Sequence, residues 1–212
     1  MDNSGILEKS ARNVWNLCST RGIKLAAAES CTGGFLADSL VSIPGASSFF
    51  LGSAVCYCDE AKNGILGVPK EILDKFYAES SETCAAMLDG ALRIFPNADA
   101  AIATTGFLDS STGSKPKSLG GSVFIGTALR LSLADSSLKD FANLPVCHIK
   151  NSDFLCGAKT GVSVMPRHSE ESGGFFKICA EIKLNVSAPR AFNMRAAAAT
   201  ALELFAFALG GL

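Results

Sequence analysis

An α/β layered fold with a substantially parallel sheet is what this 212-residue sequence predicts, on three observations. Short apolar runs such as Leu25-Ala26-Ala27-Ala28 and Ala100-Ala101-Ile102-Ala103 alternate with segments whose apolar residues recur at helical spacing. Polar, glycine-bearing turns follow these runs, as they do where strands hand over to helices. The chain is 48% hydrophobic and 18% charged, enough for one sizeable core at a length usual for a single domain.

The first helix is expected over 3–21, where Ile6, Leu7, Val14, Trp15, Leu17 and Cys18 supply a face and Arg21-Gly22 closes it. A buried strand over 23–28 then leads into the turn Ala28-Glu29-Ser30-Cys31-Thr32-Gly33-Gly34 and a helix over 33–42, which Pro44-Gly45-Ala46-Ser47 breaks. Residues 49–57 are apolar and β-prone. A helix-like stretch follows over 59–66, stopped by Gly67-Val68-Pro69, and another over 70–76. Ser80-Ser81-Glu82 opens a longer helix to about Phe95, with Ala85, Leu88 and Leu92 on one face. Residues 98–106 read as a strand ending in the Thr105-Gly106 turn. The polar stretch 109–121 is a long loop at a strand end, a place where function gathers. A strand is expected over 122–129, a short strand with variable loop over 131–175, a β-prone segment over 181–186 and a closing alanine- and leucine-rich helix over 195–209.

Composition removes several classes of function. With 19 Lys plus Arg against 20 Asp plus Glu there is no basic surface to expect, so nucleic acid is not a predicted partner. The apolar stretch 196–212 is interrupted by Glu203 and falls short of the roughly 18 uncharged residues of a spanning helix, so no membrane association is predicted. The acidic, polar start shows no secretory signal, and a cytoplasmic location is expected. The eight cysteines are then expected to be reduced and largely buried. Cys56 and Cys58 would face opposite sides of a strand, which argues against a metal site. His148 and His168 belong to no recognisable motif and read as surface residues.

In α/β folds, sites collect at the carboxyl ends of strands. The Ser30 turn, Tyr57 with Lys62, Thr105-Gly106 and the loop 109–121 all follow expected strand ends, so one pocket can contain them. The turn admits two readings. Ser30 or Thr32 can cap the helix while the glycines make a tight connection, or Ser30, Cys31 and Thr32 stand where a nucleophile or phosphate ligand is useful. A serine nucleophile needs a base, and Lys62 is available if burial lowers its pKa, as in Ser-Lys hydrolases. Tyr57 could relay a proton or orient that amine; alternatively Lys62 is a solvated helix lysine and Tyr57 a sheet-packing aromatic.

The run 28–34, Pro44-Gly45-Ala46-Ser47, Tyr57 with Lys62, and Gly67-Val68-Pro69 together resemble the carboxy-terminal domain of the competence/damage-inducible CinA family. The order and spacing continue through Ser80 to Met87 and Gly90, Thr105-Gly106, Gly121-Ser122-Val123-Phe124-Ile125 and the 190–204 tail. The resemblance implies a three-layer α/β/α sandwich with a mixed, largely parallel sheet, as a single domain over 1–212 with a lineage-specific insert at 131–175. It implies hydrolysis of the carboxamide of nicotinamide mononucleotide to nicotinate mononucleotide and ammonia, with no cofactor and no metal. Ser30 then matches the nucleophile, Lys62 the general base and Tyr57 a residue beside that base. Cys31, Thr32, Gly33, Gly34, Ser47, Thr105, Gly106 and Arg190 would line or charge the substrate pocket, with turn amides of Thr32, Gly33 and Gly34 holding an oxyanion or phosphate. The implied partners are a small nucleotide substrate and further copies of the chain. The amino-terminal domain of longer CinA proteins has no counterpart, which reads as a stand-alone arrangement. After Gly106 the family's proline- and glycine-rich loop gives way to Phe107-Leu108-Asp109-Ser110-Ser111-Thr112-Gly113, where substrate contacts would change. A same-fold hydrolase of another amide or nucleotide, or a catalytically silent nucleotide-binding protein, are the alternatives.

Overall fold

The computed structural model describes residues 4–134 and 164–210. Chain order is α1 (Ser4–Arg21), β1 (Leu25–Glu29), α2 (Phe35–Val41), β2 (Phe50–Val55), α3 (Asp59–Gly64), α4 (Lys70–Phe76), α5 (Ser81–Ile94), β3 (Ala100–Gly106), β4 (Ser122–Arg130), β5 (Val164–Ser172), β6 (Phe175–Lys183) and α6 (Arg190–Ala208). The strands form one six-stranded sheet in the order β2-β1-β3-β4-β6-β5. It is mixed: β1 runs parallel to both β2 and β3, and the remaining three ladders are antiparallel. Parallel pairing is therefore gathered at one end of the sheet rather than spread over most of it.

Helices cover both faces, because successive side chains of each strand point to opposite sides. Leu25 and Ala27 of β1 and Ala100 and Ile102 of β3 face a core built with α1, α2 and α6. Ala28, Ala101 and Ala103 face the other core, where Cys84, Met87 and Leu88 of α5 pack. Alanines dominate the central strands so that helices can approach from both sides. Leu7, Ala11, Val14 and Cys18 form the buried stripe of α1 against α6. Ser80 caps α5 as expected, its Oγ accepting from the Thr83 N–H at 3.1 Å.

The sequence reading departs from the structure toward the carboxyl end. Strand β6 begins at Phe175, six residues before the expected start at 181, and β5 occupies 164–172 within the segment read as mostly loop. Charged residues obscured the alternation: Lys177 is buried beneath Asp89 of α5 and Glu170 of β5, and Glu181 pairs with Arg167 and Lys183. Helix α6 starts at Arg190 rather than 195, directly after Pro189. Its first turn carries polar residues turned inward, Asn193 donating to the Leu108 carbonyl at 2.7 Å and the Asn185 carbonyl at 2.9 Å. His168 lies on β5 with Nε2 3.2 Å from Glu170. Cys147, His148 and Cys156 lie outside the described residues. Among the described residues, no helix is long and apolar enough to cross a membrane.

Candidate active site

Parallel β2, β1 and β3 end together, Glu29 lying level with Val55 on one side and Thr104 on the other. The Ser30 turn grows from the middle of that edge. Its backbone is fixed by Ser30 N–H to the Thr104 carbonyl at 2.9 Å, Gly33 N–H to the Ser30 carbonyl at 3.1 Å and Phe35 N–H to the Thr32 carbonyl at 3.1 Å. Gly34 holds φ +101°, a conformation that side-chain-bearing residues rarely adopt.

Glu29 organises the turn, although it is fully buried. One carboxylate oxygen accepts from Thr32 Oγ1 at 2.8 Å, Gly34 N–H at 2.9 Å and Leu36 N–H at 3.1 Å. The other accepts from Ala37 N–H at 2.9 Å and Ser53 Oγ at 3.1 Å. Because the Thr32 hydroxyl gives its proton to Glu29, Thr104 Oγ1, 2.7 Å away, must be the donor in the Thr32–Thr104 bond. The start of α2 is thus capped from within by a carboxylate, not by Ser30 or Thr32.

This corrects the expected oxyanion or phosphate cradle. The N–H groups of Gly33 and Gly34 are already taken, by the Ser30 carbonyl and by Glu29. Of the turn's amides, those of Cys31 and Thr32 meet no backbone carbonyl among the described residues, the Cys31 N–H lying against its own thiol. They are the donors left to face a reacting carbonyl, the first of them in the position that follows the nucleophile in a serine elbow.

Ser30 is buried, 5% exposed, with its N–H on the Thr104 carbonyl. The Cys31 thiol, buried beside it, is pushed up to about 12 by burial, which leaves it protonated and poorly nucleophilic. The positive charges of Lys62 and Arg190 oppose that upward push without overcoming it.

Lys62 sits on α3, a helix hung from the end of β2 by the Cys56 N–H bond to the Glu29 carbonyl at 2.7 Å. It is 1% exposed, and its Nζ donates to the Tyr57 carbonyl at 3.3 Å. Burial lowers the pKa of the amine, against the opposing pull of Asp59, Glu79, Cys31 and Cys56. A depressed pKa means that, between the folded value and 10.5, the unfolded chain binds more protons than the native one, so stability rises with pH across that window. Lys62→Met should therefore melt at a higher temperature than the wild type near neutral pH, with the gap closing as pH approaches 10.5. A melting series that finds the variant less stable at neutral pH would show that the Tyr57 carbonyl fully offsets the desolvation of the amine.

Tyr57 departs from its expected role. Its side chain is 65% exposed and its hydroxyl accepts from Arg190 Nη2 at 2.8 Å, so the backbone carbonyl, not the phenol, orients Lys62. Arg190, the first residue of α6, also donates through Nη1 to Asp109 at 2.6 Å. Thr105 is buried, and its hydroxyl donates to the Ala78 carbonyl at 2.6 Å. Gly106 has a packing role: a Cβ there would meet the Ser122 carbonyl and Val123 Cα at 2.5 Å. Ser47 lies in a short turn, Ala46–Ser48, ahead of β2 and so at the opposite end of the sheet from Ser30. It lines an open cleft of about 560 Å³ with Val41, Pro44 and Leu51, which contains none of the reactive groups. Spacing singles out none of Thr104, Asn193 and Glu79, whereas Asp109 falls in the loop 109–121 expected at the pocket; for Glu29 a lone acid closing an alanine strand is the available signal.

A family model described as the CinA C-terminal domain matches residues 7–143. The chain belongs to the CinA C-terminal domain family. CinA-like proteins of Fervidobacterium nodosum and Petrotoga mobilis are 44% identical over 107 residues and 47% identical over 96, covering 50% and 45% of this chain but 26% and 24% of theirs. The chain therefore spans about a quarter of the length of the curated relatives it matches. The competence/damage-inducible protein CihA of Agrobacterium tumefaciens superposes with a TM-score of 0.69 at 26% identity, covering 99% of both chains. A CinA superfamily structure from Klebsiella pneumoniae shares the fold, with a TM-score of 0.69 at 21% identity over 97% of this chain and 99% of the other.

Proposed function

We propose that this CinA-family protein is an amidohydrolase that converts nicotinamide mononucleotide to nicotinate mononucleotide and ammonia through Ser30 and Lys62. The observation that carries the reading is a buried serine on a rigid strand-end turn, with a buried lysine of lowered pKa on the helix hung from the neighbouring strand end. Neutral Lys62 takes the Ser30 proton as Oγ attacks the amide carbon, and the Cys31 and Thr32 amides receive the developing oxyanion. The C–N bond breaks as Lys62 delivers that proton to the departing ammonia. Water then attacks the ester on Ser30 as Lys62 takes its proton, and Lys62 returns that proton to Oγ as the C–Oγ bond breaks and the carboxylate product leaves. The substrate's phosphate would approach Arg190 at the rim. A cytoplasmic homo-oligomer acting without cofactor belongs to the same reading.

Ammonia and nicotinate mononucleotide, measured together after incubation with nicotinamide mononucleotide, should appear in equal amounts and in proportion to protein. Absence of both across the pH range in which the fold persists would end this reading. The Asp109 carboxylate on Arg190 favours a second reading, hydrolysis of a less strongly anionic amide, which the same assay resolves with nicotinamide riboside as substrate.

A further inference from the structure

Two cations stand at the rim besides buried Lys62, and each is already met by a carboxylate of the same chain. Lys115 pairs with Glu79 while lying 5.4 Å from the ring centres of both Tyr77 and Phe107. Arg190 pairs with Asp109 at 2.6 Å, the two side chains 47% and 25% exposed. The second pair lies close to the reacting turn: a Cβ on Gly33 would come within 2.9 Å of Met194, one turn along α6 from Arg190.

Asp109 is held in place independently of Arg190. Its Oδ1 accepts the Ser111 N–H at 2.8 Å, and its own carbonyl accepts the Gly121 N–H at 3.2 Å, closing the loop 107–121 on itself. The Ser111 N–H and then Arg190 keep its carboxyl below the usual range, so it is charged at neutral pH. A phosphate monoester seeking the guanidinium must therefore displace a fixed anion from one nitrogen and approach against its charge. The Tyr57 hydroxyl holds the other nitrogen from an exposed side chain.

We propose that Asp109 is a specificity-determining residue of this site: by holding Arg190 it weakens binding of the phosphate of a nucleotide and so disfavours phosphorylated amides relative to their nucleosides. The proposal rests on the Ser30 turn being an amidase site, and it concerns a residue that the loop of this chain supplies. Asp109→Asn keeps the Ser111 contact through its amide oxygen and removes the charge together with the oxygen that accepts from Arg190, which frees the guanidinium; the fold should persist, which a melting curve checks.

The test has a binding arm and a kinetic arm. By calorimetry, nicotinate mononucleotide should bind Asp109→Asn about three- to tenfold more tightly than wild type, the range expected for removing one partly exposed charge near a dianion. The KM for nicotinamide mononucleotide should fall by a similar factor, the change appearing in KM rather than kcat, while the KM for nicotinamide riboside holds. Adding Arg190→Gln should erase the gain. Equal binding by wild type and Asp109→Asn, or an equal change for nucleotide and nucleoside, overturns the proposal. Tighter binding by Asp109→Asn in a protein that releases no ammonia would uphold the role of Asp109 and overturn the amidase reading alone.

Discussion

Ser30→Ala is expected to reduce ammonia release from nicotinamide mononucleotide by about a thousandfold or more while leaving the melting temperature almost unmoved. The two halves of that result have separate causes. The turn is held by its backbone bonds and by Glu29, so removing the Ser30 hydroxyl costs the fold little, within about 1 kcal/mol. In the proposed reaction the same hydroxyl forms the ester, and without it only the binding surface and the Cys31 and Thr32 amides remain. A helix-capping serine would show the reverse, a loss of about 1 kcal/mol in stability with activity retained. Kinetic and melting measurements on one preparation separate the two.

Glu29→Ala should have the largest effect on stability. The change takes the acceptor from the N–H groups of Gly34, Leu36 and Ala37 and from the Ser53 hydroxyl, while Thr32 keeps Thr104, and it leaves a polar cavity that water can enter. At about 1–3 kcal/mol for a buried group left unpaired, and less for the part-buried ones, the loss is a large share of the about 5–15 kcal/mol of a typical domain. The protein is expected to melt well below the wild type. Glu29→Gln preserves volume but turns an amide NH2 toward groups that are themselves donors. It should fold with a stability lower by about 3 kcal/mol, seen as a lower denaturant midpoint and a melting temperature lower by about 6–12 °C. Unchanged melting of Glu29→Gln would mean that the α2 amides find other partners.

Much of the fold is legible in the sequence where side-chain period and burial coincide. Strands β1 and β3 are alanine runs closed by polar turns, and Ser80 announces α5. The period fails where burial is achieved by pairing charges. Lys177 and Glu181 of β6 are inward-facing, and beside Glu170 and Lys183 they bind Asp89 and Arg167, 88 and 14 positions away, relations that no local window reveals. For the same reason the start of α6 was placed late: Arg190 and Asn193 serve the site, not solvent.

The site divides in the same way. Ser30, Tyr57 and Lys62 are recognisable by residue type and spacing, and the sheet brings their elements to one edge. What spacing does not carry is direction. It does not show that the Tyr57 phenol leaves the amine for Arg190, that Thr105 binds the Ala78 carbonyl, or that Ser47 sits at the far end of β2. Nor does it show that Glu29 consumes the helix-start amides that a glycine-rich turn advertises for anions.

The pairing of Ser30 with a neutral lysine is tested most directly by kcat/KM for nicotinamide mononucleotide followed from acidic to alkaline pH, beside Lys62→Met. Because burial lowers the Lys62 pKa, the wild-type rate should rise with pH as one proton leaves, with its midpoint below the ordinary 10.5 of a lysine, and the variant should stay at background throughout. A rate that is level on the acid side, or a Lys62→Met protein that releases ammonia as fast as the wild type, would contradict it.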